Sequence, residues 1–394
     1  MVHQGTRRDT KKNSEFGFCF LPFVPLRALR GSHLSVFSVL SVSSVVSLLL
    51  FAAVASAAQI TTLAGTGKAG LSGDNGPATA AELHGPTGLT KGPDGAIYVC
   101  DTDNHVIRRI APDGVITTIA GTGSSGYSGD NGPATKARLN DPYEVRFDKS
   151  GNLFFCERQN HCIRKIDVKA GTITTIAGTG KPGFSGDNGP ATRALFKEPH
   201  SIQFGPDGAL YVCDIGNHRI RRIDMTTGIV TTFAGTGEKK PTPDGAPIAG
   251  TPLNGPRAID FDPAGNLWVA LREGNAVYKI DPKTKTIRHM AGTGKKGFTG
   301  NGGPALNATL NGPKGIAVGP DGAVYLADTE SHSIRKIDPT TGMIDLVAGT
   351  GQKGDGPDGA PTQCRLSRPH GIHVAPDGAL YIGDTESNKI RVIR

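Results

Sequence analysis

The chain has 394 residues, 20% of them charged, and a formal net charge of +8. Residues 1–57 hold six Lys/Arg and two Asp/Glu, so the remainder carries 37 basic against 33 acidic side chains. That mild excess argues against a nucleic-acid partner. The length alone would allow two or three domains, but the repeat described below argues for one.

Residues 1–58 stand apart from the rest. Arg7, Arg8, Lys11, Lys12, Arg27 and Arg30 precede an apolar, Ser-rich run from about Leu34 to Ala58. This run ends in Ala55-Ser56-Ala57, a small-x-small pattern suited to signal peptidase. The segment reads as a signal peptide or, if retained, an N-terminal anchor, since about 20 apolar residues span a bilayer. A secreted, periplasmic or cell-surface location follows, with membrane contact only if residues 34–58 stay attached.

From residue 59 to residue 394 the sequence repeats. Ala-Gly-Thr-Gly begins at Ala64, Ala120, Ala177, Ala234, Ala291 and Ala348, at spacings of 56 and then 57 residues. A regular period this long predicts a ring or solenoid of one supersecondary unit. Within the unit from Pro313 to Gly349, the alternating segment Lys314-Gly315-Ile316-Ala317-Val318 predicts a first strand. Pro320-Asp321-Gly322 predicts a turn, and Ala323-Val324-Tyr325-Leu326-Ala327 a second strand. Ile334-Arg335-Lys336-Ile337 and Met343 to Val347 supply the third and fourth strands. Four short antiparallel strands per unit describe a propeller blade, and the fold class is all-β. The one helix candidate is a turn at Pro77 to Leu83 and its counterparts. The first copy opens with the lone segment Ile60-Thr61-Thr62-Leu63, and the last stops at Lys389 to Arg394. Pairing the two completes a sixth blade and closes the ring, which hides its free edges.

The pattern Pro-Asp-Gly, Tyr-Val-x-Asp, Asn-x-x-Ile-Arg-Lys-Ile and Thr-Thr-x-Ala-Gly-Thr-Gly resembles the NHL repeat over nearly all of residues 60–394, in the manner of bacterial, exported propellers. The resemblance implies six blades of four strands. It implies no single activity, since NHL-like propellers include protein- and RNA-binding modules, sensor domains and some lyases, with gluconolactonase-like hydrolases among related folds.

Several motifs invite chemistry and yield simpler readings. Gly65-x-Gly67-x-x-Gly70 and its copies match a dinucleotide fingerprint, yet no parallel sheet or helix follows. Asp74 and its copies Asp130 and Asp187 offer one acid per loop, few for calcium, and are expected to shape turns. Asp101, Glu157, Asp214, Asp328 and Asp384 share one position, and Arg108, Arg164, Arg221, Arg335 and Arg391 lie seven residues on. They are expected to pair and tie strands or blades together. Blade four breaks the rule with Leu271 and Tyr278, and carries the sole tryptophan, Trp268. His105, His161, His218 and His332 are expected to be turn residues with solvent access. Cys100, Cys156 and Cys213 fill a slot for a small buried side chain, and Cys156 and Cys162 flank a turn where a disulfide is conceivable.

Function is sought where the repeats disagree. After the proline that starts each inner strand stand Thr87, Tyr143, His200, Arg257, Lys314 and His370. Next come Gly88, Glu144, Ser201, Ala258, Gly315 and Gly371, and two positions later Thr90, Arg146, Gln203, Asp260, Ala317 and His373. Together they are expected to ring the channel mouth on the face of the long fourth-to-first-strand loops. The candidate ligand-binding set is Tyr143, Glu144, Arg146, His200, Gln203, Arg257, Asp260, Lys314, His370 and His373. The reading is a monomeric binding module for a protein, peptide or glycan, with no cofactor and no nucleic acid. The alternative is a lyase or lactonase using zinc, or less readily calcium, in the channel. It requires His200 and His370/His373 to converge from opposite blades.

Overall fold

The computed structural model describes residues 57–394, so the export-signal expectation falls on residues outside that range, apart from 57 and 58. These residues form six antiparallel sheets arranged as a six-bladed ring. The innermost strands are Pro86–Lys91, Pro142–Phe147, Pro199–Phe204, Pro256–Phe261, Gly315–Val318 and Ile372–Val374, from blades one to six. Blade five shows the predicted order, with Val324–Asp328, Ser333–Asp338 and Met343–Ala348 stacked outward.

Closure is as the sequence indicates. Ile60–Ala64 is the outer strand of blade six, paired with Lys389–Ile393 through Ile60↔Ile393, Thr61↔Val392 and Thr62↔Arg391. Arg391 Nη1 also donates to Thr62 Oγ1 at 2.8 Å, a side-chain clasp across the join.

Two local details go beyond the expected four strands. In four blades a two-residue segment of the incoming long loop adds itself outside the fourth strand, as Gly76–Pro77 does on Val115 and Ile116. The helix candidate is only a 3₁₀ turn, Ala78–Ala80, because Pro77 and Ala81 on either side are extended. The Gly-x-Gly motif serves the strand exit. Gly65 has φ +93°, and a Cβ there would lie 2.2 Å from the Asn388 carbonyl oxygen.

Alternating strands present apolar residues on both faces, so each blade packs on two neighbours. The core between blades one and two contains Tyr98, Cys100, Ile107, Val145, Leu153 and Phe155. Each such large apolar side chain contributes roughly 1.5–3 kcal/mol by burial. Cys100, Cys156 and Cys213 are fully buried in these cores, as the small-residue slot implies. No disulfide joins Cys156 to Cys162: both are free thiols. In the ladder Cys156 stands opposite Ile163 and Cys162 opposite Glu157, so the two sulfur positions are offset by one residue.

Candidate functional site

The repeated Asp–Arg pair builds the loops that frame the channel. Asp101 Oδ1 accepts the His84 N–H at 2.7 Å, while Oδ2 accepts from Asn104 at 2.8 Å and Arg108 at 3.4 Å. Arg108 in turn donates to the Ser72 carbonyl at 3.0 Å and to Asp74 at 2.8 Å. The loop acid is therefore an arginine partner, as are Asp130 for Arg164 and Asp187 for Arg221. The pair ties each long loop to its own blade. Burial pushes the Asp101 carboxyl up to about 6 against the pull of these donors.

The repeated histidines have a role the sequence did not reveal. His105, His161, His218 and His332 adopt left-handed backbone, φ 49–55°. Their Nδ1 atoms accept the backbone N–H of Asp141, Glu198, Gly255 and Arg368 in the next blade, at 3.1–3.3 Å. Asn275 and Asn388 do the same with Oδ1, toward Gly312 and Gly85. Each blade is thereby stapled to its neighbour at the rim. Solvent access is limited, and His218 is buried. The receiving residues are themselves left-handed, where glycine is the default. Asp141, Glu198 and Arg368 occupy that position instead, placing charge beside the channel at a backbone cost of about 1 kcal/mol or more each.

The ten candidate residues do not share one mouth. A cavity of about 330 Å³ on the long-loop face is lined by Tyr143, His200, Arg257, Lys314 and His370, together with Thr87. A second cavity of about 300 Å³, on the short-turn face, is lined by Arg146, Gln203, Asp260 and His373. Residues one and four positions beyond the proline are three apart on a strand, hence about 10 Å apart along the channel. The expectation of a single ring is corrected accordingly. Glu144 lies between the two sets and is ion-paired with Arg146.

The far cavity is closed upon itself. Asp260 accepts from Gln203 Nε2 at 2.6 Å and from the N–H groups of Phe261 and Val318, both at 2.8 Å. Burial pushes the His373 imidazole down to about 3.

At the mouth, Tyr143 is the hub. The His200 ring meets it edge-on at 4.7 Å between centroids, and the His370 ring lies at 6.1 Å. Arg257 reaches from blade four to hydrogen-bond the Tyr143 hydroxyl, its guanidinium 4.5 Å from the ring centroid. Lys314 Nζ bonds Glu330 at 2.8 Å and His370 Nε2 at 3.0 Å. Burial drives the His370 imidazole well below its ordinary value, and Lys314, Arg257, Arg368 and Arg272 press it the same way. Arg158, Arg272 and Arg368 add three further cations to the lining, beside the carboxylates of Asp103 and Glu386. Sequence reasoning missed these three because they sit in connections. The signal was present at two variable positions: the residue preceding each proline runs Gly, Asp, Glu, Gly, Gly, Arg, and the residue after each second strand runs Thr, Arg, Ile, Arg, Thr, Thr.

The three-histidine zinc set does not assemble. His200 and His370 share one cavity, but His373 lines the other, and the Lys314 ammonium occupies His370 Nε2. Among the described residues no group of three or more His, Cys, Asp or Glu side chains is placed to hold a metal ion.

Residues 58–126 and 290–357 match the family model of the Teneurin NHL domain. The chain is 29% identical to Protein SUPPRESSOR OF QUENCHING 1, chloroplastic, of Arabidopsis thaliana, covering 69% of this chain and 26% of that protein. It is 26% identical to NHL repeat-containing protein 2 of Homo sapiens, covering 75% of this chain and 44% of that protein. The chain thus spans less than half the length of either relative. An auxiliary nutrient binding protein from Bacteroides thetaiotaomicron superposes with a TM-score of 0.63 at 20% identity, over 86% of this chain and 76% of that one. At that identity the likeness carries the fold alone. Together these matches support the reading of the repeats as NHL-type.

Proposed function

We propose that the chain is an exported binding module that takes a protein, peptide or glycan ligand at the long-loop mouth of a six-bladed NHL-type propeller. The observation that carries this reading is the cavity of about 330 Å³. It is lined by residues that differ from copy to copy, while the Asp–Arg pairs and rim staples around it repeat. A rigid scaffold that holds variable side chains in a concave polar site is the usual arrangement for recognition. A Bacteroides protein of the same fold is described as an auxiliary nutrient binding protein. Among the described residues no helix is long and apolar enough to cross a membrane. The proposed form is a monomer, membrane-bound only if residues 34–58 are retained.

The test is to probe the full chain on peptide and glycan arrays, alongside Tyr143→Ala and His200→Ala at the mouth and Lys149→Ala on the short-turn face. Loss of a ligand in the first two variants but not the third supports the reading. Absence of any ligand, or equal loss in all three, sinks it. Determining the N terminus of secreted protein tests the export half separately.

A further inference from the structure

Resting on that reading of the mouth, we infer that the group it anchors is an oxyanion: a carboxylate, sulfate or phosphate ester held among Arg257, Lys314 and His370. The argument begins with a charge that has no counter-charge. Arg257 is 5% exposed and forms no ion pair among the described residues. Its polar partner is the neutral Tyr143 hydroxyl, and its Nε has none. A buried cation left in this state is costly, and an anion supplied from outside removes the cost.

The second observation is the supply of donors. His370 Nε2 faces the Lys314 ammonium at 3.0 Å and must therefore accept, which places the ring proton on Nδ1. That Nδ1 also lacks a partner. Arg257 Nε and His370 Nδ1 are thus two unpaired N–H groups behind the wall of one cavity, while Arg257 Nη1, which makes no hydrogen bond among the described residues and is not fully buried, is the donor offered to an entering acceptor.

Third, the charges around Arg257 are already taken. Arg158, Arg257, Arg272, Lys314 and Arg368 line the cavity, against Asp103 and Glu386 among the carboxylates. Asp141, Glu273 and Glu330 engage Arg158, Arg272, Arg368 and Lys314, which leaves Arg257 as the uncompensated centre. Low-dielectric walls strengthen the pull of such a lone cation on an entering anion. The far cavity lacks this character, since its Arg146 is neutralised by Glu144 and its Asp260 is saturated by three donors.

The experiment is calorimetric titration of the full chain with sodium sulfate, sodium phosphate and sodium glucuronate, at constant ionic strength in chloride. Single-site saturable binding of at least one probe is expected. Arg257→Gln and Lys314→Gln should each weaken it by about tenfold or more, the scale of a lost charge-assisted hydrogen bond. Arg288→Gln, an exposed outer-strand residue, should leave it unchanged. Preference for glucuronate identifies a carboxylate anchor, and preference for sulfate or phosphate an ester. Thermal midpoints verify folding, and Lys314→Gln carries the test if Arg257→Gln does not fold. No saturation by any probe, or undiminished affinity in the folded variants, overturns the inference. Retention of an array ligand without anion binding refutes the oxyanion while leaving the binding module intact.

Discussion

Tyr278 donates its hydroxyl proton to the carbonyl of Thr242 at 2.7 Å. Arginines 36 residues beyond the same loop position hold it in other blades, as Arg108 holds Ser72 and Arg335 holds Thr299. Blade four keeps the bond and discards the charge. Its acid is lost in step, Leu271 standing where Asp101 or Glu157 stands elsewhere, so no buried charge is orphaned. What reads in the sequence as degeneration is a neutral version of the same loop anchor.

This substitution pattern can be transplanted. Asp101→Leu alone leaves Arg108 buried beside Asp74 only and should cost about 3 kcal/mol in urea unfolding. Adding Arg108→Tyr should recover at least about 1 kcal/mol of that loss, a coupling of the kind adjacent residues show. Strictly additive losses would refute the equivalence of the two anchors.

Ring closure makes the two ends of the propeller one structural unit. Ile60 is fully buried in the core shared by blades five and six. Ile60→Ala should therefore cost about 2–4 kcal/mol, as a core truncation does. It should also lower the midpoint of a single cooperative transition. A negligible change, or selective melting of residues near position 60, would contradict closure.

The rim staples predict a pH signature. Burial lowers the affinity of His161, His218 and His332 for protons, and each uses Nδ1 as an acceptor. The unfolded chain therefore binds more protons near and below pH 6.5, so these groups favour folding above that pH and disfavour it as pH falls through it. Asn, used at the same position in blades four and six, keeps the acceptor and cannot protonate. His161→Asn should be most stabilising relative to wild type near pH 5 and near neutral at pH 8. The buried acids around Asp101 act oppositely, so the difference between variants, not the absolute stability, is what to measure. A pH-independent difference would remove the staple from the account.

Anion affinity should have its own pH limit. Burial, with Arg257 and Arg368 adding repulsion, depresses the Lys314 ammonium to about 8 despite Glu330 beside it. His370 faces it as a neutral ring. Raising pH from 7 to 9 deprotonates Lys314 and should weaken sulfate binding, a fall that Lys314→Gln abolishes. Equal slopes in both proteins would exclude Lys314 from the site.

The blades, their number and their closure were legible in the sequence because each follows from local periodicity. A 57-residue repeat, alternating strands and Pro-Asp-Gly turns specify one hairpin stack, and the split copy specifies the join. Position-specific features inside one unit were equally readable, including the Asp–Arg pairing and the slot filled by Cys100. The meeting of residues from different blades was not, since it depends on channel radius and side-chain reach rather than spacing. Only the folded ring carries Arg257 past blade three onto Tyr143, sets His200 and His370 about the same ring, and sends His373 to the opposite end. The rim histidines are turn residues, as expected, but their bond was missed for the same reason: the partner is a backbone N–H contributed by the next blade, and a bond between repeats leaves no mark within either one.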